Sequence, residues 1–281
     1  MRIRAGFQMT WDCPEPVPML LTLSVHASRR ADLETPEWLR TEPDLHVRQY
    51  IDGFGNLCSR ILAPAGRCVL SSDFIIRDSG RADEVEPDAI QIAAHNLPDE
   101  ALVYLLGSRY CETDRLSDIA WSLFERTPLG WPRVQAIADF VHGHIRFGYE
   151  HARPTKSAFD AYEEGTGVCR DYAHLAIALC RCMNIPARYC TGYLGDIGVP
   201  VVGVMDFSAW FEAYLGGRWF TFDARNNQPR IGRILIGRGR DATDVPLSNA
   251  FGRTYLADFR VVSEEAPAGL PDAEETAARA T

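Results

Sequence analysis

The sequence has 281 residues, of which 46% are hydrophobic and 24% charged, and its formal net charge is −9. A chain of this length can bury a substantial core without disulfides or a metal, whereas its negative balance argues against nucleic-acid binding, which needs clustered Lys and Arg. The apolar runs are too short to span a bilayer and no secretory signal is visible, so we expect a cytoplasmic protein with no membrane partner.

The first third of the chain predicts a β-rich region. Short apolar or β-branched runs separated by turn signals indicate strands at Arg2–Thr10, Met19–Ala27, Leu45–Ile51, Leu57–Leu62 and Cys68–Ile76. Turn-forming residues interrupt them, and the loop Asp52–Asn56 suits a hairpin because its glycines take a positive φ without steric cost. We therefore expect residues 1–90 to form a β-sandwich-like domain.

Near residue 90 the pattern changes to helices followed by strands. Helices are predicted at 98–106, Asp114–Glu125, Trp131–Ile145, Lys156–Glu163 and Gly167–Met183. Strands are predicted at Ala187–Leu194, Ala209–Leu215, Trp219–Asp223, Ile231–Ile236 and Thr254–Val262, with Gly216-Gly217 as a hairpin turn. The pattern therefore predicts an α+β fold, with a core domain over residues 91–264 and a disordered tail over residues 265–281.

The cysteines and arginines give little sign of a cofactor or of nucleic acid. There are eight cysteines and no CxxC pair, and the one CxC (Cys180, Cys182) falls in a helical pattern. We expect reduced thiols that are mostly small core residues, and neither a metal nor a cofactor. The longest basic cluster, Arg230–Arg240, is interrupted by glycine and isoleucine and predicts a strand and a turn.

Cys169 is the candidate nucleophile. It begins the predicted helix Gly167–Met183 after the segment Gly165-Thr166-Gly167-Val168. A thiolate at a helix start faces unpaired backbone N–H groups and the positive end of the helix dipole, so we expect a lowered thiol pKa. The same N–H groups suit a developing oxyanion. The alternative is an ordinary structural cysteine at a helix start.

Two segments resemble the motifs of the transglutaminase-like superfamily. The stretch GTGVCRDYAHLAIALCRCMNIPARYCTGYL (Gly165–Leu194) resembles its nucleophile segment. The stretch FSAWFEAYLGGRWFTFDAR (Phe207–Arg225) resembles its second and third motifs, in which the family carries His-Ala-Trp on one strand and an Asp closing the next. Residues 1–75 and 105–165 resemble the N-terminal domain and the helical approach of bacterial members. The resemblance implies a papain-like core, a helix carrying the cysteine packed on an antiparallel sheet, and a cysteine protease or acyl-transfer activity on peptide, protein or amide substrates.

Carried over residue by residue, the resemblance makes Cys169 the nucleophile and Asp223 the acid that orients the histidine, but it places Ser208 at the histidine position. Family members often carry histidine where Asn226 stands. None of the seven histidines lies beyond residue 174. In thiol acyl transfer the imidazole holds the thiolate and then protonates the leaving amine, and a serine hydroxyl does neither near neutral pH. The site is therefore predicted to have reduced or lost activity.

Other histidines offer weak substitutes for the missing base. His174 lies five residues after Cys169 on the same helix, which turns it about 140° away from the nucleophile, so it is predicted to pack behind the helix. His151 falls in a loop that could border the cleft. His142 and His144 are predicted to be structural or solvated.

Three functions therefore compete. The first is a thiol acyl-transfer enzyme, which the motifs favour. The second is a pseudoenzyme or peptide-binding module that uses the same cleft, which the missing histidine favours. The third, a redox or metal protein using Cys180 and Cys182, has the least support.

Overall fold

The β-rich part and the helix-containing core contribute separate sheets to the structure, a computed structural model that describes residues 1–201, 203 and 205–266. In these residues the strands are β1 (Arg2–Cys13), β2 (Val17–Leu21), β3 (Arg40–Glu42), β4 (Arg48–Ile51), β5 (Leu57–Ala63), β6 (Gly66–Arg77), β7 (Arg146–Phe147), β8 (Thr166–Gly167), β9 (Ala187–Leu194), β10 (Ser208–Leu215), β11 (Arg218–Phe222), β12 (Arg233–Gly239), β13 (Ser248–Ala250) and β14 (Tyr255–Glu265). The α-helices are α1 (Asp99–Leu102), α2 (Thr113–Phe124), α3 (Trp131–His144), α4 (Ala158–Glu164) and α5 (Cys169–Cys182).

Two four-stranded antiparallel sheets form the β-rich part, in the orders β14-β1-β6-β3 and β13-β2-β5-β4. Buried side chains from both sheets meet in one core, among them Phe7, Met9, Met19, Leu21 and Ile61. This is the packing of a sandwich, in which the inner faces of two sheets share one apolar layer. Strands β13 and β14 come from the C-terminal part of the chain, so the predicted division at residue 90 stays a prediction.

The second core surrounds α5, which packs on the antiparallel sheet β11-β10-β9-β12 and is flanked by α2, α3 and α4. Twelve of the fourteen residues of α5 are buried, as expected for a helix enclosed on all sides. Along β10, Ala209, Phe211 and Ala213 join the core around α5, so Trp210 and Glu212 lie on the opposite face of the sheet. The α+β class and the helix-on-sheet core are confirmed.

Two glycines shape the chain immediately before α5. Gly165 ends α4 in the left-handed conformation, with φ of 60°. A Cβ on Gly167 would lie 2.7 Å from Cβ of Asp171, so only glycine fits there. The Asp171 carboxylate accepts a hydrogen bond of 2.9 Å from the Val168 N–H and closes the first turn. Cys169 is thereby fixed as the first residue of α5.

Several predicted boundaries differ from the observed ones. The predicted strand Met19–Ala27 is too long, because β2 ends at Leu21; the buried Leu23 and Val25 fill the core outside a strand. The strand predicted at Leu45–Ile51 is ordered as a strand only from Arg48. The three-residue strands β3 and β13 were missed, since so short a segment carries no readable alternation. Strand β14 extends to Glu265, and the buried Ala266 donates its N–H to the Arg2 carbonyl, so these two residues of the predicted tail are ordered; residues 267–281 lie outside the described residues.

Candidate functional site

Cys169 and Ser208 line the same cavity, of about 580 Å³, at the start of α5 and the start of β10. The other residues that line this cavity are polar or apolar in similar numbers. The polar ones are Tyr110, Arg153, Arg170, Tyr189, Thr191, Asp206, Ser248 and Asn249. Asp223 lines a different cavity, of about 190 Å³. Two of the three site residues predicted from the sequence therefore line one cavity, and Asp223 lines another but lies close enough for its carboxylate to act on the Cys169 thiol.

Cys169 is partly exposed, whereas the other seven cysteines are buried. Burial raises the pKa of the Cys169 thiol to about 11, and the Asp206 and Asp223 carboxylates act in the same direction. The Arg225 guanidinium and a hydrogen bond from the Ala209 backbone N–H oppose this rise without cancelling it. The expected lowering of the thiol pKa at the helix start is therefore wrong, because desolvation of the thiolate outweighs the favourable charges.

Ser208 is the first residue of β10 and is 5% exposed. Its carbonyl oxygen accepts a hydrogen bond of 3.0 Å from the Thr191 hydroxyl, which fixes the backbone beside the cavity. The side chain itself is a hydroxyl, which neither takes up a proton near neutral pH nor forms an ion pair with a thiolate. The structure thus places a hydroxyl, and not a base, at the position predicted for a histidine.

The Asp223 carboxylate is fully engaged by two residues on its own side of the sheet. Arg233 Nη2 donates to Oδ2 at 2.9 Å, and Asn226 donates from its backbone N to Oδ1 at 2.9 Å and from Nδ2 to Oδ2 at 2.8 Å. Burial alone raises the pKa of Asp223, but Arg233 and Asn226 outweigh it and bring the pKa below its usual value. Arg233 and Asn226 therefore hold the carboxylate that the sequence predicts to be the histidine-orienting acid.

Sequence reasoning missed three residues near the thiol or the acid and assigned no role to a fourth. Arg233 was interpreted as part of a strand and a turn, and Asn226 was noted only as a position where family members often carry histidine. Asp206 lines the Cys169 cavity, and burial raises its pKa. Arg225 stacks over the Phe147 ring with 4.1 Å from the guanidinium carbon to the ring centroid. Only the position of Asp206 and Arg225 beside the motif residues could have indicated them.

Three of the four histidines considered as substitutes for the base make hydrogen bonds elsewhere, and His151 has a carboxylate neighbour. His174 Nε2 accepts a hydrogen bond of 3.1 Å from the Ala242 N–H, and its ring stacks on Tyr110 at 5.1 Å, in agreement with the predicted packing behind α5. His142 Nδ1 contacts two backbone carbonyls, and His144 Nε2 contacts that of Tyr162. His151 lies 3.5 Å from the Glu150 carboxylate. None of these histidines is among the described residues that line the Cys169 cavity.

Replacement of His174 with glutamine is expected to flatten the acid dependence of stability. Burial lowers the pKa of His174 to about 3 from 6.5, so the unfolded chain binds a proton before the folded one does as the pH falls. The stability that His174 contributes above pH 6.5 is therefore lost progressively as the pH falls towards the folded-state pKa. Urea unfolding at pH 7, 6, 5 and 4 measures the slope. His95→Gln, at an exposed site, is the control, and equal slopes in the two variants would contradict the expectation.

The described residues contain no group of three or more His, Cys, Asp and Glu side chains placed to hold a metal ion. Of the two CxC thiols, Cys180 is fully buried, and Cys182 Sγ donates to the Thr113 carbonyl at 3.5 Å. Across the same residues, none of the helices combines the length and apolarity needed to cross a bilayer.

Comparison with known proteins identifies this arrangement. Residues 122–224, which contain Cys169, Ser208 and Asp223, match the sequence model of the Transglutaminase-like superfamily. The chain carries a transglutaminase-like core. A crystal structure from Cytophaga hutchinsonii, of a protein named a "putative cysteine protease", superposes with a TM-score of 0.82 at 27% identity and covers 97% of this chain and 93% of that one. The transglutaminase-like core is thus found together with a matching N-terminal part.

Two mycobacterial relatives are also similar. An uncharacterized protein of Mycobacterium leprae is 39% identical over 113 residues, which are 38% of this chain and 40% of that protein. An uncharacterized protein of Mycobacterium tuberculosis is 39% identical over 90 residues, 28% of this chain and 29% of that protein. The chain therefore matches less than half the length of these relatives.

Proposed function

We propose that this protein is a transglutaminase-like thiol protein of the cysteine protease, amidase and acyl-transfer type, whose cleft accepts peptide or amide substrates and whose turnover of amides is reduced or lost. The observation that carries the proposal is the shared cavity of Cys169 and Ser208. It supplies a partly exposed thiol at a helix start, but a hydroxyl stands where the family carries its imidazole.

The proposed reaction begins when the Cys169 thiol loses its proton to solvent and the thiolate Sγ attacks the substrate carbonyl carbon. The Ala209 N–H beside the sulfur, together with the free N–H groups of the first turn of α5, would stabilise the developing oxyanion. Collapse of the tetrahedral intermediate breaks the bond to the leaving group. An amine leaves only if it gains a proton, and Ser208 has none to give at neutral pH. Amide substrates would therefore be held without efficient cleavage.

Thioesters and other activated acyl donors fit the site better. Their leaving groups depart as anions, so acylation of Cys169 needs no general acid. With a thiol pKa of about 11, only about 10⁻⁴ of the sulfur is ionised at pH 7, so even this acylation would be slow near neutrality. The proposed activity is accordingly acyl transfer that rises steeply with pH.

The proposal predicts that Cys169 is alkylated by iodoacetamide faster than the other seven cysteines, with a rate that increases tenfold per pH unit up to about pH 11. Mass spectrometry of each thiol from pH 6 to pH 10 measures the rates. Acylation by a p-nitrophenyl ester should follow the same profile and disappear in Cys169→Ala, whereas a peptide p-nitroanilide should not be cleaved. Labelling of Cys169 no faster than that of the buried thiols would contradict the proposal.

A second candidate is a peptide-binding module in which Cys169 does no chemistry. The engagement of Asp223 by Arg233 and Asn226 favours it, because no acid is left to orient a base. Cys169→Ala should then bind peptides as well as the natural protein does. Peptide amide turnover that is lost on Cys169→Ala would refute this candidate.

The compartment and the partners belong to the same proposal. Eight unpaired cysteines are typical of a reducing compartment, which supports a cytoplasmic site of action. The proposed partner is a peptide or protein substrate, and the formal net charge of −9 supports neither nucleic acid nor an anionic membrane as a partner.

A further inference from the structure

A cavity of about 300 Å³ lies on the face of the core sheet opposite α5, where the core meets the β-rich part. Its lining comes from the 3-10 helix Ala27–Asp32 between β2 and β3, the segment after β6, the back of strands β10 and β11, and strand β12 with the loop before it. The lining residues are Ser28, Arg29, Asp78, Arg81, Ala82, Asp83, Trp210, Glu212, Thr221, Arg230, Gly232, Arg233, Leu235 and Arg238. This cavity is separate from the one that contains Cys169.

Positive charge is in excess in this lining, with five arginines against three carboxylates. Each carboxylate is already engaged, because Asp78 lies 3.4 Å from Arg29, Asp83 lies 2.9 Å from Arg233, and Glu212 accepts from Arg188 Nε at 2.6 Å.

Two of the five arginines have no carboxylate partner in the described part of the chain. Arg81, from the segment after β6, and Arg238, from β12, make no ion pair there. They approach the cavity from two different elements and are at least partly exposed. The two unpaired guanidinium groups give this cavity wall a positive potential that attracts a negatively charged ligand.

Buried donors without acceptors add a second, independent observation. Arg230 Nε and Arg233 Nη1 are buried and lack a hydrogen-bond partner among the described residues. The two residues are only 6% and 9% exposed. A buried guanidinium N–H almost always donates to an acceptor. These two nitrogens are therefore available to an acceptor oxygen of a bound molecule at the arginine-lined wall.

We propose that this cavity is a binding site for a small organic anion that carries carboxylate or phosphate oxygens. Arg81 and Arg238 supply the charge that recognises it, and the Arg230 and Arg233 side chains form the basic floor. The volume of about 300 Å³ falls at the lower end of small-molecule sites. Arg233 also holds Asp223, so the anion site and the motif acid share one guanidinium. The site stands independently of the function proposed for Cys169.

Titration calorimetry of the full chain at constant ionic strength tests the site, with citrate as the carboxylate probe and inorganic phosphate as the phosphate probe. One anion is expected to bind per chain. Arg238→Gln should weaken binding about tenfold or more, because a charge-assisted contact is lost, and the double variant Arg81→Gln, Arg238→Gln should abolish it. Arg126→Gln, at a side chain that is 94% exposed, is the matched control and should bind as the natural protein does.

The two probes distinguish the source of the oxygens: binding of citrate alone assigns a carboxylate ligand, and binding of phosphate alone assigns a phosphate ester. If Arg238→Gln fails to fold, Arg81→Gln provides the test, because Arg81 is exposed and its replacement should not disturb the fold. The affinity of Arg81→Gln for the anion is expected to be lower than that of the natural protein. Absence of binding by either probe overturns the proposal. Equal binding by all variants also overturns it, since that outcome reflects general attraction to arginines.

Discussion

Ser208→His is expected to raise the rate of Cys169 alkylation at pH 7 by roughly 10- to 1000-fold. An imidazole at position 208 would stand in the cavity that Cys169 also lines. As a cation it favours the thiolate, and an opposite charge within a few ångströms lowers a pKa by about 1 to 3 units. The thiol pKa is about 11 in the natural protein, so each unit by which the imidazolium lowers this pKa multiplies the fraction of thiolate present at pH 7 tenfold. Iodoacetamide kinetics with mass spectrometry of Cys169 measure the change.

Ser208→Gln is the matched control, because glutamine adds bulk and polarity without a group that titrates near neutral pH. It should leave the alkylation rate close to that of the natural protein. If the histidine and glutamine variants react alike, the side chain at position 208 does not reach the sulfur. The site would then differ from the family arrangement by more than one missing group. If only the histidine variant reacts fast, the scaffold is intact and lacks its base.

The sequence predicted the core better than the borders of its elements. The helix carrying Cys169 and the hairpin at Gly216-Gly217 were found because apolar periodicity and glycine placement are local signals. The pairing of β14 with β1 joins residues more than 240 positions apart and has no local signal. For the same reason, periodicity could not predict that β13 and β14, from the C-terminal part of the chain, each complete one of the two N-terminal sheets.

At the site, Cys169 and Ser208 line one cavity, and their catalytic roles stay a prediction, but the sign of the expected thiol pKa shift was wrong. Helix-start electrostatics can be read from a sequence, whereas desolvation depends on what covers the sulfur in three dimensions. The partners of Asp223 were likewise hidden. Arg233 lies ten residues further on and reaches the carboxylate only because β12 returns beside β9.

Asp223→Asn is expected to lower the free energy of unfolding at pH 7 by about 3 kcal/mol, because removing one partner of a buried ion pair leaves the other charge uncompensated. The side chains of Asp223 and Arg233 are 2% and 8% exposed. Asp83 keeps a contact of 2.9 Å with Arg233, which places the loss at the low end of the range for such pairs. Urea unfolding measures the change, and Asp12→Asn, in an exposed pair with Arg67, is the control that should leave the free energy of unfolding nearly unchanged.

The pH dependence and the thiol chemistry separate a structural Asp223 from a catalytic one. The folded-state pKa of Asp223 lies below the ordinary value of 3.8. The stability that the Asp223 carboxylate contributes is therefore fully present above the ordinary value, and it is lost as the pH falls through the folded-state pKa. The stability gap between the natural protein and Asp223→Asn should therefore be constant from pH 8 to pH 5 and shrink below pH 4. Asp223→Asn should not slow the alkylation of Cys169, because this carboxylate raises the thiol pKa and has no imidazole to orient. A large loss of alkylation rate without a loss of stability would instead assign Asp223 a part in activating the thiol.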